Sequence, residues 1–348
     1  MNNNSRNVTR NNGFLIIWAL FVARSKEFYR DRGALIWSLV FPACVVAAIA
    51  FAFSGEDQKI FRIGVFQTEA TEVSHSLIKQ PFVIAVPYVN LDKALLRLRH
   101  HQIDMILSAT QPAYYWVNES SSKGQVLEQL LTANSTQEYT RQTVAGRQVR
   151  YVDWVIPGVL SMNVMFGALF GIGFVIVRYR KNGVLKRIQA TPVTALQFLT
   201  AQVLSRLTLL LCAATIVYIG CNYFLNFIML GSYINLFIVA FLGIFSMISL
   251  ALIVASRTSS EELANGLLNF VSFPMMLLSE VWFSLDNAPD WLVTISSLLP
   301  LTHMVQAARE VMINGEGLAA ISHHLWILVA MSAVFMVIAA CLFQWNEK

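Results

Sequence analysis

Adjacent histidines are the residues of this sequence whose type and spacing could carry metal or catalytic chemistry. Two pairs of adjacent histidines occur, His100-His101 and His323-His324. Neighbouring residues on a helix point in different directions, and no HExxH motif or carboxylate stands at a zinc-site spacing from either pair. We therefore predict no metal site. The sequence also has no GxxxxGK(S/T) loop, so we predict no nucleotide or other cofactor bound by this chain.

The cysteines do not suggest a crosslinked or metal-binding framework. All four lie within apolar runs, at Cys44, Cys212, Cys221 and Cys341. A thiol in such a setting behaves as a small hydrophobic group. We predict neither disulfides nor a CxxC metal site.

A few polar residues lie within or beside apolar runs, where they could line a polar path or form a gate. Asn163, Asn265 and Asn269 either face such a path or bond to a neighbouring helix, and we favour the second interpretation. Glu280 lies near the end of an apolar run, which favours a boundary residue over a pathway residue. Pro300 breaks another apolar run and is a further candidate gate.

The composition excludes an ordinary water-soluble protein. Of 348 residues, 56% are hydrophobic and 13% charged, with a mean hydropathy of +0.57. Soluble domains carry about 25% charged residues. The net charge of +5 does not indicate nucleic-acid binding, because the basic residues stand beside apolar runs and not on a continuous soluble surface.

Six apolar runs are long enough to cross a bilayer, whose core of about 30 Å needs roughly 20 helical residues. They occupy residues 34–53, 155–177, 207–224 (or from near Ala195), 233–255, 263–283 and 325–343. The first run could instead be a cleaved signal peptide, but it is too long and the charged segment before it is too extended. We predict an α-helical polytopic membrane protein with six transmembrane helices.

Three other segments belong to the membrane part. Residues 1–12 are polar and predict a disordered tail, and the ten apolar residues 14–23 predict a helix in the membrane interface, both within a 1–33 cytoplasmic region. Residues 154–348 form the predicted five-helix domain. Within it, the apolar run at 288–305 is too short to span and predicts a re-entrant segment.

Residues 54–153 have lower hydropathy and a soluble pattern. The stretches FRIGVF, PFVIAVPYV and QIDMILSA predict buried strands, and EVSHSLIK and LDKALLRLR predict helices. Residues 123–150 predict a further helix, because Val126, Leu127, Leu130 and Leu131 share one face. We predict a small α/β domain inserted after the first span.

Basic residues fix the predicted orientation. They flank the first, second and fourth spans on one side, at Arg6, Arg10, Arg24, Lys26, Arg30, Arg32, Arg178, Arg180, Lys181, Lys186, Arg187 and Arg257. Short loops on the other side offer only Arg309. By the positive-inside rule both termini and the 178–198 loop are cytoplasmic, and residues 54–153 are extracytoplasmic.

The 178–198 loop, RYRKNGVLKRIQATPVTALQF, has an ordered pattern. Gly183 precedes a short amphipathic turn through Leu185 and Ile188, and Thr191-Pro192 marks a break before the next helix. This predicts a short helix at 181–190 lying across the membrane surface. Charge alone would favour a generic basic loop that obeys the positive-inside rule.

The order of residues in this loop resembles the permease subunits of type 2 ABC transporters. The matching positions are Gly183, Leu185, Lys186, Arg187, Thr191, Pro192 and Val193. The stretch IPGVLSMNVMFG from Ile156 is similar to the start of the family's second span. The region from Ser256 through LLPLT to Arg309 is similar to its signature region, so the resemblance covers most of the chain.

The resemblance implies a non-catalytic permease of a bacterial inner-membrane exporter that pairs with a second copy or a paralogue. Its coupling helix at 181–190 would seat in a groove of a separate ABC ATPase, which binds ATP and Mg. The implied coupling residues are Gly183, Leu185, Lys186, Arg187, Ile188, Thr191 and Pro192. Membrane lipid and a periplasmic adaptor protein are further partners, and nucleic acid is not one. The substrate stays open.

The sequence departs from the family pattern in two places. Arg180, Lys181 and Asn182 replace acidic residues before the loop glycine, and Glu280 replaces a glycine that often follows the serine at 279. The alternatives to an exporter are an ion-coupled secondary transporter and a membrane-anchored sensor or scaffold. The first would need intramembrane carboxylates or histidines near the midplane, and Glu280 lies near an edge.

Overall fold

The computed structural model describes residues 5–52, 61–66, 77–78, 80, 82–108, 113–134, 139–146, 149–258, 260–285 and 288–343. The chain divides into two compact units. Met1–Phe53 and Val152–Lys348 form the helical unit, and Ser54–Tyr151 forms the α/β unit.

Helices dominate the first unit and alternate with strands in the second. In chain order the elements are α1 (Ser5–Arg30), α2 (Arg32–Ala52), β1 (Phe61–Phe66), β2 (Val83–Tyr88), α3 (Leu91–Arg99), β3 (Met105–Ser108), β4 (Tyr114–Asn118), α4 (Ser122–Asn134), β5 (Thr140–Val144), α5 (Tyr151–Ala168), α6 (Val175–Lys181), α7 (Val184–Gln189), α8 (Ala195–Leu225), α9 (Tyr233–Arg257), α10 (Glu261–Leu278), α11 (Asp290–Ser297), α12 (Pro300–Met312) and α13 (Leu318–Leu342). A π-helical segment, Leu169–Phe174, joins α5 to α6 without a break.

Within the described residues, four helical stretches are long and apolar enough to cross a membrane. They are Tyr151–Lys181, Ala195–Leu225, Tyr233–Arg257 and Leu318–Leu342. Within α2 the apolar stretch is shorter, Ser38–Phe51, and α10 is 18 residues long with two glutamates in its first turn. The helical unit therefore has the composition of a polytopic membrane protein.

Several predicted boundaries differ from the observed ones. Residues 5–12 continue α1, so the predicted disordered tail is wrong there, and residues 1–4 lie outside the described part of the chain. The third apolar helix begins at Ala195, the earlier of its two predicted starts. The fifth predicted span, 263–283, corresponds to α10 and ends at Leu278. Glu280 takes a left-handed backbone conformation (φ 56°) that an α-helix cannot contain.

Polar side chains cap the N-termini of α8, α9 and α10. Thr194 and Gln197 form a capping box at α8, in which each side chain accepts a hydrogen bond from the other residue's backbone N–H. Ser232 and Ser260 cap α9 and α10 in the same way with a single bond each. These caps satisfy N–H groups that have no partner within the helix.

Helix α9 is central to the helical unit, where it packs against α8, α12, α13 and the π-helical segment. Met247, Ile248 and Ala251 on this helix are fully buried. Gly243 allows α12 to approach, since a Cβ atom there would lie 2.4 Å from Sδ of Met304.

The α/β unit contains a five-stranded sheet with the strand order β2-β1-β3-β4-β5. Among the described strands, β3 and β4 pair antiparallel and the other neighbouring pairs are parallel. The predicted strands at 61–66, 81–89 and 102–109 are present as β1, β2 and β3. Sequence reasoning missed β4 and β5, and the helix predicted for 123–150 ends at Asn134. The helix predicted at 72–79 falls mostly outside the described residues.

Strand β3 shows how the sheet is covered. Met105 and Leu107 pack with Leu127 of α4, whereas Ile106 packs with Ala94 and Leu98 of α3. Because β3 is buried on both faces, its sequence is apolar without alternation.

Asn118 ties the two sides of this unit together. Its buried side-chain NH₂ group lies 3.3 Å from the carbonyl oxygens of Leu98 and Arg99 and 3.2 Å from that of Gly146. Its oxygen accepts from the hydroxyl of Ser120 at 2.8 Å. The end of α3 and the segment after β5 are thereby fixed to β4.

We expect Asn118→Ala to lower the free energy of unfolding of the α/β unit by about 1–3 kcal/mol, because buried carbonyl groups lose their donor. Hydrogen exchange of the full-length protein would measure this. Gln125→Ala removes an exposed hydrogen bond to Glu119 and serves as the control with little change. Equal protection in the Asn118 variant and the wild type would contradict the assigned role.

Candidate functional site

The predicted coupling helix corresponds to α7, six residues long. The preceding helix ends where Gly183 takes a left-handed conformation (φ 67°), with its N–H bonded to the carbonyl of Arg180 at 3.1 Å. Glycine adopts this conformation at no steric cost. The chain therefore turns between α6 and α7 at the position that the sequence motif marks.

Helix α7 has one face against the helical unit and one face exposed. Leu185 is fully buried in the core cluster, and Ile188 packs at its edge. Lys186 and Arg187 are exposed. The helix is thus held by its apolar side and presents two positive charges outward.

The segment after α7 is also ordered. The Thr191 hydroxyl donates to the carbonyl of Ile188 at 2.5 Å, which helps to end the helix. Pro192 is exposed, and Val193 packs against the core at the entry to α8. Each residue of the predicted coupling set therefore lies in or directly beside α7.

Arg180 anchors the base of this segment. Its guanidinium group is buried and donates to the backbone carbonyls of Ala255 at 2.9 Å and Ser256 at 3.1 Å, and also to that of Thr258. These oxygens lie at the C-terminus of α9, where helix carbonyls lack partners and a positive charge is favourable. Arg180 therefore belongs to the interior and not to the exposed charge of the loop.

Lys181 makes a second connection beside Arg180. Its ammonium group lies 3.5 Å from the carboxylate of Glu261, the first residue of α10. The α6–α7 junction thus contacts the end of α9 and the start of α10.

We expect Arg180→Gln to lower the free energy of unfolding of the helical unit by about 3 kcal/mol, because buried carbonyls lose charge-assisted hydrogen bonds. Thermal unfolding of the purified full chain would measure it. The exposed Arg178→Gln should change stability by no more than about 0.5 kcal/mol. An equal loss in both variants would contradict the anchoring role.

Helix α1 is bound to the same end of the molecule. The Arg24 guanidinium lies 2.8 Å from the Glu27 carboxylate, and it donates to the Tyr179 hydroxyl at 3.2 Å and the Gly171 carbonyl at 3.3 Å. The Tyr179 hydroxyl also donates to Glu27. The N-terminal helix is thereby attached to the long helix one residue before Arg180.

Arg206, which sequence reasoning did not single out, lies beside the π-helical segment. It donates through Nε to the carbonyl of Gly167 at 2.8 Å. A Cβ atom at Gly171 would lie 2.0 Å from its guanidinium, and one at Gly167 would lie 2.6 Å from Leu210. The small-residue spacing in GALFG therefore accommodates α8 of the same chain.

Glu280 and Arg309 form an ion pair at the corner after α10. Their side chains are 17% and 10% exposed, and the charged atoms are 3.3 Å apart. Arg309 also donates to the Glu280 carbonyl and, at 3.1 Å, to the carbonyl of Trp154, whose ring lies 3.6 Å from the guanidinium carbon. Glu280 thus has a structural partner. The left-handed backbone also explains why glycine would suit this position.

A chain of buried hydroxyl groups joins the same corner to the predicted re-entrant segment. The Thr302 hydroxyl donates to that of Ser279 at 2.9 Å and lies 3.2 Å from that of Ser296. Ser296 lies in α11, and Pro300 occupies the first turn of α12. The LLPLT turn is therefore packed against the end of α10.

We expect Glu280→Gln to destabilise the helical unit by roughly 2 kcal/mol, because Arg309 keeps its mostly buried charge and loses its partner. The unfolding temperature of the full chain is the measurement. Glu316→Gln, at an exposed position in the loop before α13, is the matched control. An unchanged unfolding temperature in the Glu280 variant would show that the pair contributes nothing.

Of the three predicted pathway asparagines, Asn265 and Asn269 contact each other in α10, whereas Asn163 in α5 has a different partner. The Asn163 amide lies 3.4 Å from the carbonyl of Ser38 in α2, which is a bond between helices. Asn269 donates to the carbonyl of Asn265 at 2.9 Å on an exposed face of α10. An apolar cavity of about 330 Å³ lies elsewhere, between α5, α8, α9 and α12; among its lining residues are Pro157, Leu211, Leu236 and Met304.

The histidine pairs have different environments. His101 lies 3.2 Å from the Gly146 carbonyl, and burial, then the charge of Arg99, lowers the pKa of His100. In contrast, ligand atoms of His323, His324 and Glu310 lie within 4.8 Å of one another. The turn between α12 and α13 brings the carboxylate of Glu310 to this pair, a proximity that the sequence spacing did not indicate.

Comparison with known proteins identifies relatives of this chain. A family model described as "ABC-2 family transporter protein" matches residues 32–341. "Probable multidrug ABC transporter permease YbhS" of Escherichia coli K12 is 20% identical over 91% of this chain and 94% of its own length. "ABC transporter G family member 20" of Dictyostelium discoideum is 26% identical over 63% of this chain, and the match spans only 30% of that relative. "Probable multidrug ABC transporter permease YbhR" of Escherichia coli K12 is 22% identical over 53% of this chain and 50% of its own length.

Proposed function

The chain belongs to the ABC-2 family of transporter proteins, and we propose that it is the membrane-spanning permease subunit of an exporter whose ATPase is a separate polypeptide. The main support is the family match over most of the chain, together with end-to-end similarity to a relative named as a permease. The ATP and Mg would be bound by the partner ATPase.

The proposed topology has six spans. The four long apolar helices supply four of them, and α2 and α10 supply the other two. With basic residues concentrated at one end, both termini and α7 lie in the cytoplasm, and the 54–153 insertion lies outside a bacterial inner membrane. Helices α11 and α12 have 8 and 13 residues, too few to cross, which suits a re-entrant pair.

In this proposal α7 is the coupling helix. Its exposed Lys186 and Arg187 would contact the ATPase, while Leu185 transmits the motion to the core. Arg180 and Lys181 connect the base of α7 to α9 and α10, so displacement of α7 would move those helices. The structure thus contains direct contacts from the coupling segment to the spans.

The second permease, a copy or a paralogue, would cover the exposed face of α10. This face combines the exposed apolar residues Phe270 and Phe273 with the amides of Asn265 and Asn269. Amides are unfavourable against lipid and are expected at a protein contact or a polar path. The apolar cavity is consistent with a hydrophobic or amphipathic cargo entering from the bilayer. A periplasmic adaptor would dock outside.

Charge reversal at Lys186 and Arg187 tests the proposal. We expect the Lys186→Glu, Arg187→Glu double variant to bind the ATPase at least about tenfold more weakly, a loss of about 1.4 kcal/mol, because charges at the contact no longer match. The measurements are co-purification of the ATPase and vanadate-sensitive ATP hydrolysis.

The exposed Arg257→Glu is the control, since it reverses charge near the same end of the helical unit but outside α7. The unfolding temperature should not change in either variant, because both sites are exposed. Full ATPase binding by the double variant would refute the coupling role.

A further inference from the structure

We propose that Glu310, His323 and His324 form a transition-metal site between α12 and α13, with His303 as a positioning residue. The cation would be one that prefers imidazole and carboxylate ligands, with Zn²⁺ as the representative. This inference does not rest on the proposed export function.

The three ligand side chains converge from two helices. Glu310 lies near the end of α12, and the two histidines lie in the second turn of α13. The Nε2 atom of His324 is 3.6 Å from Oε1 of Glu310. The second carboxylate oxygen, Oε2, is buried and has no hydrogen-bond partner among the described residues. A buried carboxylate oxygen without a partner is unfavourable, and a bound cation would satisfy it.

Hydrogen bonds fix which nitrogen of His324 carries its proton. His303 Nε2 lies 2.8 Å from the carbonyl oxygen of Ser297, which can only accept, so this nitrogen is the donor. In the neutral ring His303 Nδ1 is then an acceptor. It lies 2.9 Å from Nδ1 of His324, which must therefore donate. The lone pair of His324 is left on Nε2, the atom that faces Glu310.

His323 is prepared in the same way. Its Nδ1 lies 3.2 Å from the carbonyl oxygen of Ala320, so Nδ1 donates and Nε2 holds the lone pair. Metal-binding histidines usually donate their second ring N–H to a carbonyl or another acceptor, which orients the ring. In their neutral forms both histidines therefore adopt the tautomer of a metal ligand, with Nδ1–H as the donor and Nε2 carrying the lone pair.

Two imidazoles and one carboxylate are the ligands of a three-residue zinc site with one open position. Zinc ligand atoms lie about 2.0–2.2 Å from the metal. The three ligand atoms, which lie within 4.8 Å of one another, must therefore come closer together when the ion binds. The His323 side chain is exposed, so solvent leaves it room for this movement. A bound cation would link α12 to α13 across the turn at 313–317.

Co²⁺ titration of the purified, metal-free full chain in lipid nanodiscs tests the site. We expect one equivalent to bind with the visible d–d absorption of a four-coordinate ion, and Zn²⁺ to displace it. Glu310→Gln and His323→Ala should each abolish this signal. His303→Phe keeps a ring but removes the contact to His324, and it should weaken Co²⁺ binding about 10–100-fold.

His100→Ala is the matched control, because it alters the other histidine pair and should bind Co²⁺ as the wild type does. Zn²⁺ should raise the unfolding temperature of the wild type but not that of His323→Ala, whose metal-free unfolding temperature stays normal because residue 323 is exposed. Absence of saturable Co²⁺ binding, or binding unaffected by Glu310→Gln and His323→Ala, would overturn the proposal. The second result would leave Glu310 and His324 as an ordinary hydrogen-bonded or ionic pair.

Discussion

Buried and partly buried arginines that donate to backbone carbonyl oxygens hold the helical unit together. Arg180 binds the end of α9, Arg206 binds Gly167 in α5, and Arg309 binds the carbonyls of Trp154 and Glu280. In an apolar unit such groups cannot rely on water, so each guanidinium and each free carbonyl must find a partner inside the protein. The planar fork of donors in arginine suits several carbonyls at once, which a lysine cannot match.

Arg180 and Arg309 fix helices at opposite ends of the helical unit. At one end Arg180 joins the α6–α7 turn to α9, beside the contact of Arg24 with Tyr179. At the other end Arg309 fixes the corner after α10, where the hydroxyl groups of Ser279 and Thr302 also meet. Helices α9 and α10 therefore have fixed attachments near their ends and apolar packing between them. This arrangement suits helices that move as rigid bodies.

Most of the architecture was predictable from the sequence, because long apolar runs indicate spanning helices and short apolar runs indicate buried strands. The runs later observed as α8, α9 and α13 stand out by length alone, and FRIGVF and MILS read as buried strands. Strand β5, TRQTV, was missed because it is short and mostly polar, and it follows a helix whose apolar face appeared to continue.

The site residues were harder to predict for a different reason. Gly183 and Leu185 are recognisable from local order, whereas Arg180 looks like any basic loop residue until its contacts with α9 are seen. The proximity of Glu310 to His324 depends on how the chain turns between two helices. Local spacing contains no information about such a turn.

The π-helical segment Leu169–Phe174 has a geometrical consequence for the long helix that contains it. A π turn holds about one residue more than an α turn, and one residue corresponds to roughly 100° of rotation about the helix axis. The half that follows is thus out of phase with the half that precedes it. The segment therefore shifts the azimuth of the side chains that follow it up to Lys181, among them Tyr179, which contacts α1, and Arg180, which contacts the end of α9.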